Sequence, residues 1–96
     1  MKQYCIIVEP EAQEDLELIF KFISSNDTVS KAIVFLKEIK IQIGTLDTLP
    51  FRCRKSYYTD EPNTHDLIHK GYTIVYKVIE NNVHILTIFR QKNYKV

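Results

Sequence analysis

No stretch of this 96-residue sequence stays apolar for anything near the roughly 20 residues that span a bilayer. The opening "MKQYCIIVEPEAQEDL" meets acidic residues before a signal-peptide core can develop, so a soluble chain with no membrane partner, located in the cytoplasm, is expected. Cysteine is scarce. Cys5 and Cys53 lack CxxC spacing, which argues against the disulfide scaffolds of small secreted proteins. His65, His69 and His84 are the only histidines and build no zinc pattern, so neither a metal nor another cofactor is expected. There is no linker, internal repeat or low-complexity tract either, and 96 residues suffice for one core, so residues 1–96 are read as one domain.

What is present is an ordinary globular composition, 45% hydrophobic and 26% charged, with an uneven distribution of charge. Residues 1–51 hold five Lys/Arg and eight Asp/Glu, net −3, whereas residues 52–96 hold eight and four, net +4. A basic pole of this size serves a phosphate backbone or an acidic partner, or is simply a solvated surface. Cys5 lies in an apolar run and is expected to pack as a small hydrophobe. Cys53, between Arg52 and Arg54, has flanking cations that favour a thiolate, but no base accompanies it in the sequence.

The β-rich segment 2–8 reads as a strand. Pro10 suits the first turn of a helix, and Glu11, Glu14 and Asp15 place negative charge near its positive end. Ala12, Leu16, Ile19, Phe20 and Ile23 then form one apolar stripe. "SSNDT" interrupts it and offers Asn26, Asp27 or Thr28 as the cap of a second helix with the seam Val29, Ala32, Leu36, Ile39, Ile43 and Leu46. Gly44 and Pro50 close that helix, and "KSYY" reads as a short strand or an extended crossing. From Leu67 the β signal strengthens: Tyr72, Ile74, Tyr76 and Val78 share one face, and Asn81 and Asn82 suit a tight turn into the partner strand "VHILTIF". The expected fold is α+β: an N-terminal strand, an antiparallel helical hairpin, then a curved antiparallel sheet of three to four strands.

That order, with Ala12, Asp15 and Leu16 in "AQEDL", Gly71 to Val78 in "GYTIVYKV", and Ile85 to Gln91 in "ILTIFRQ", resembles the RelE/ParE superfamily of bacterial type II toxin–antitoxin toxins over essentially the full chain. The resemblance implies one of two activities. RelE-like members are metal-independent endoribonucleases that cleave messenger RNA in the ribosome. ParE-like members poison DNA gyrase by protein contact. A nuclease would carry an arginine just after the aromatic residue of the third strand, to stabilise charge on the scissile phosphate. Here that place is Thr73, whose neutral hydroxyl supplies neither a permanent charge nor a bidentate fork. The ParE-like reading is therefore preferred, with Arg52, Arg54, Lys55, Lys70, Arg90 and Lys92 as the partner-binding surface. The toxin would be held in a hetero-oligomer by a cognate antitoxin whose flexible segment wraps around it. The alternatives are a ribosome-dependent nuclease using His65, Arg90 and Tyr94, and a decayed, non-toxic antitoxin-binding module. His65 occupies the place of a frequent family arginine, and its bland explanation is a half-buried, hydrogen-bonded imidazole.

Overall fold

The computed structural model describes residues 3–90. A strand β1 (Cys5–Val8) leads into helix α1 (Pro10–Asn26), helix α2 (Val29–Gly44) and a single 3₁₀ turn (Thr45–Asp47). Strands β2 (Arg54–Lys55), β3 (Thr64–His69), β4 (Tyr72–Ile79) and β5 (Asn82–Arg90) follow. Pro10 occupies the start of α1, where its missing N–H costs nothing, and Thr28 caps α2 by accepting the Lys31 N–H at 3.1 Å. Gly44 ends α2 with a helical φ of −59°, so the chain passes directly into the 3₁₀ turn without a left-handed stop.

The sheet has five strands in the order β1-β5-β4-β3-β2. The four strands after the helical hairpin form the antiparallel sheet expected, and the N-terminal strand adds a fifth. The N-terminal strand joins the sheet by pairing parallel to β5, with Ile6 opposite Val83 and Val8 opposite Ile85. Arg54–Lys55 adds the other edge by pairing antiparallel with His65 and Asp66, so the short strand lies just before and overlapping "KSYY". The β3–β4 turn at Lys70–Gly71 has positive φ at both residues, 47° and 82°, the geometry whose twist matches a two-residue hairpin. In the β4–β5 turn the positive φ falls on Glu80, at 54°, and Asn82 already pairs with Ile79; the turn thus sits one residue earlier than the asparagines suggest.

Helices cover one face of the sheet. The core there joins Ala12, Leu16 and Ile19 of α1 with Ile39 and Ile43 of α2, and with Leu67, Tyr72, Ile74, Tyr76, Val78, Val83, Ile85 and Ile88 of the strands. The stripe expected for α1 is there. In α2 the seam holds except at Val29, which is exposed because it sits in the first turn beside the end of α1. Cys5 is also exposed, contrary to expectation. Strand β1 alternates, and its inward residues are Ile6 and Val8.

Strand β1 covers only the first half of β5, through Ile85. Beyond it, Asp15 of α1 takes over: its Oδ2 accepts the Ile88 N–H at 2.9 Å and the Thr87 hydroxyl at 2.8 Å. A helix carboxylate thereby satisfies a strand-edge donor that would otherwise face solvent.

Candidate functional site

The cations singled out in the sequence separate into two groups. Arg52, Arg54 and Lys55 lie at the β2 edge. Lys70 and Arg90 share the other end of the sheet, because Tyr72 pairs with His69 on one side and Arg90 on the other. Three strand spacings, about 14 Å, separate β2 from β5. Lys92 and Tyr94 lie outside the described residues.

Within the first group each cation has a different setting. Arg54 is two-thirds buried. Its guanidinium meets the Oδ2 atom of Asp66 at 3.3 Å and stacks over the Tyr57 ring at 3.7 Å. The Asp66 side chain is fully buried, and the same oxygen accepts the Tyr57 N–H at 3.0 Å. Arg52 is exposed and donates to the Thr45 hydroxyl at 2.7 Å. Lys55 is exposed and makes no ion pair among the described residues. Pattern reading missed the Arg54–Asp66 pair because its partners lie twelve positions apart, and only the β2–β3 register brings them together.

His65 is half-buried on the helix-facing side, stacked on Tyr76 with ring centroids 5.5 Å apart and edge-on to Phe51. Its Nδ1 lies 3.1 Å from the Cys53 carbonyl oxygen, which can only accept, so Nδ1 carries the proton and the buried Nε2 is left without a partner. Tyr76 is completely buried and donates to the Pro50 carbonyl at 2.7 Å. Burial, reinforced by its contact with the Cys53 thiol, pushes the Tyr76 hydroxyl far above its ordinary pKa, so it stays protonated. These groups knit the 50–54 segment to the sheet. His84 pairs through Nδ1 with Glu9 Oε2 at 2.7 Å, tying β5 to the start of α1.

At the Lys70 end, Glu38 of α2 accepts from Lys70 Nζ at 2.9 Å and from His69 Nε2 at 3.0 Å. The Lys70 hydrogen bond, then that of His69, holds the Glu38 carboxyl below its ordinary 4.5. A depressed carboxylate pKa contributes stability that is complete above 4.5 and fades as pH falls through the lower folded value. Glu38→Gln is therefore expected to leave stability at pH 3 nearly unchanged and to lower it at pH 7. Urea unfolding at the two pH values checks this. Nearby, Arg90 lies over Phe22 of α1 at 5.6 Å and rims a groove of about 290 Å³ lined by Leu18, Ile19, Phe22, Tyr72 and Ile88.

Thr73 is the residue that the sequence resemblance sets where a nuclease would carry an arginine. It is 0% exposed, flanked in register by Ile68 and Phe89, and the Phe89 ring lies edge-on beneath Tyr58 at 4.9 Å. Its hydroxyl has no hydrogen-bond partner among the described residues.

Two solved structures share this architecture. One, described as the chromosomal ParDE TA system from P. aeruginosa, has a TM-score of 0.80 at 17% identity, covering 94% of this chain and 98% of the other. The second, the toxin–antitoxin complex RelBE2 from Mycobacterium tuberculosis, has a TM-score of 0.61 at 19% identity, with 95% and 94% covered. No curated protein sequence matches. Among the described residues, no helix is long and apolar enough to cross a membrane. The family model for the ParE toxin of the type II toxin–antitoxin system parDE aligns with residues 6–94, nearly the whole chain, and the chain belongs to that family.

Proposed function

We propose that the chain is a cytoplasmic toxin that inhibits DNA gyrase by protein contact and is neutralised by a cognate antitoxin. The observation that carries this reading is the buried, neutral Thr73: fully enclosed, with Ile68 and Phe89 beside it in register, it offers a scissile phosphate no cation there. Docking through exposed charge suits what remains at the surface, namely Arg52, Lys55, Lys70 and Arg90, with Arg54 held in place by Asp66. Lys92 completes the proposed set from the sequence. A contact mechanism requires neither metal nor organic cofactor.

The antitoxin is assigned to the groove between α1 and the uncovered half of β5. Leu18 and Phe22 are exposed there, 61% and 48%, with no element among the described residues over them. An extended or helical segment with apolar anchors fills such a groove, and an acidic group beside those anchors meets Arg90. Titrating the purified chain into a gyrase supercoiling reaction tests the proposal. Supercoiling is expected to fall with dose, to recover when antitoxin is added, and to require at least about tenfold more of a Lys55→Glu/Arg90→Glu variant. Unchanged supercoiling at excess toxin rejects gyrase as the target, and codon-positioned cuts in translated RNA would establish the nuclease instead.

A further inference from the structure

The tip of the β3–β4 hairpin is fastened to α2 by packing and by charge. Phe35 of α2 lies against the Tyr72 ring at 5.0 Å and the His69 ring at 5.9 Å. One turn further along the helix, a single oxygen of Glu38, Oε1, accepts from Lys70 Nζ at 2.9 Å and from His69 Nε2 at 3.0 Å. Ser30, Lys31, Val34, Phe35, Glu38 and Lys70 together line a groove of about 310 Å³. Both of its lysines already carry an acid of the same chain, since Lys31 pairs with Asp27 at 3.2 Å. The two cations and two carboxylates cancel.

Among the described residues, this setting separates Lys70 from the other proposed docking cations. Arg52 donates to a neutral hydroxyl, Lys55 makes no ion pair, and Arg90 lies over an aromatic ring. The carboxylate on Arg54 is fully buried, where an incoming group cannot compete with it. Glu38, by contrast, is one-third exposed and stands on Lys70 at the surface.

We propose that Glu38 is an autoinhibitory latch: it neutralises Lys70 in the free toxin, and an acidic group of the docking target displaces it when Lys70 binds. The inference rests on the docking role proposed for Lys70 above. What the latch withholds is charge and not access, because the Lys70 side chain is 61% exposed. Its effect is therefore a modest one, as a solvent-exposed ion pair changes an equilibrium only a few-fold. Protonation does not open it. The hydrogen bond from Lys70, then that from His69, keeps the Glu38 carboxyl below its ordinary 4.5, so it stays charged at neutral pH and a competing anion is what releases Lys70.

Two measurements on the full-length chain test the latch. Trace acetylation with acetic anhydride, mapped by mass spectrometry, reads how freely each lysine amine reacts. Lys70 is expected to label at least about twofold more slowly than exposed Lys55, and Glu38→Gln should bring it up to the Lys55 rate. In the gyrase supercoiling reaction, at equal folded dose, Glu38→Gln should inhibit at about two- to fivefold lower concentration than the natural chain. Lys70→Met should inhibit less well, and adding Glu38→Gln to it should change nothing further. A general gain of positive charge, or the release of His69, would still raise potency in that background. Lys70 labelling as fast as Lys55 in the natural chain overturns the latch. So does equal potency of Glu38→Gln and a natural chain that inhibits, or a Glu38→Gln gain that persists without Lys70. A natural chain that leaves supercoiling untouched rejects gyrase as the target and takes the regulatory role with it, an outcome told apart from failure of the latch by the absence of any inhibition to regulate.

Discussion

Thr73→Arg is expected to cost at least about 4 kcal/mol, a large share of the total, because domains of this size are stable by only about 5–15 kcal/mol. The substitution restores the residue type that RNA cleavage calls for, yet the position has no room for it. Thr73 is fully enclosed between Ile68 and Phe89, with Tyr58 packed on Phe89. A guanidinium there either stays buried without a counter-charge or displaces the groups that enclose the position to reach water. Thr73→Val provides the control. It removes a hydroxyl that has no hydrogen-bond partner while keeping the branched shape, so stability should be unchanged or raised by up to about 1 kcal/mol. Urea unfolding followed by circular dichroism reads both variants. If Thr73→Arg unfolds at the same midpoint as the natural chain, this face of β4 opens easily, and the argument against a nuclease loses its structural support.

The same position shows what a sequence carries and what it does not. The identity of Thr73 was legible; its enclosure was not, because the register that sets it between Ile68 and Phe89 is not written in the local sequence. Helical stripes were legible in Ala12, Leu16 and Ile19, since a spacing of three and four has one interpretation in a helix that packs on a sheet. In β1 the run "CIIV" is apolar at every position, so its period of two is hidden, and Cys5 was placed inside when it faces out. Parallel pairing of β1 with β5 joins residues some 77 positions apart, Cys5 with Asn82, and nothing local encodes such a register. The family resemblance anticipated the order of elements that the structure has. Surface roles are less legible still. Five of the six proposed docking cations lie among the described residues, but sequence proximity grouped Arg52, Arg54 and Lys55 as equivalents. The structure separates them into an exposed donor to Thr45, a largely buried partner of Asp66 and a lysine with no ion pair among the described residues.

That separation makes Arg54→Met the informative substitution at the β2 edge, with an expected cost of about 2–3 kcal/mol and a melting temperature lower by about 10–20 °C. The loss arises mainly at the partner. Asp66 is fully buried, and without Arg54 its carboxylate keeps only the Tyr57 N–H. The figure lies below the 3–5 kcal/mol typical of a wholly buried pair, because the Arg54 side chain is one-third exposed and water already screens it. Arg54→Lys keeps the charge but forfeits the paired donors and the stacking on Tyr57, for about 1 kcal/mol. Asp66→Asn removes the buried charge while retaining an acceptor for Tyr57, so combining it with Arg54→Met should cost clearly less than the two single changes added together. Additive costs would mean that the pair contributes nothing as a pair. The cycle also decides how toxicity data at Arg54 are to be interpreted. Weaker gyrase inhibition by Arg54→Met implicates the charge in docking only where the deficit exceeds the unfolded fraction and Arg54→Lys, at an equal folded dose, retains inhibition; equal deficits in both variants assign Arg54 to the architecture of the β2 edge.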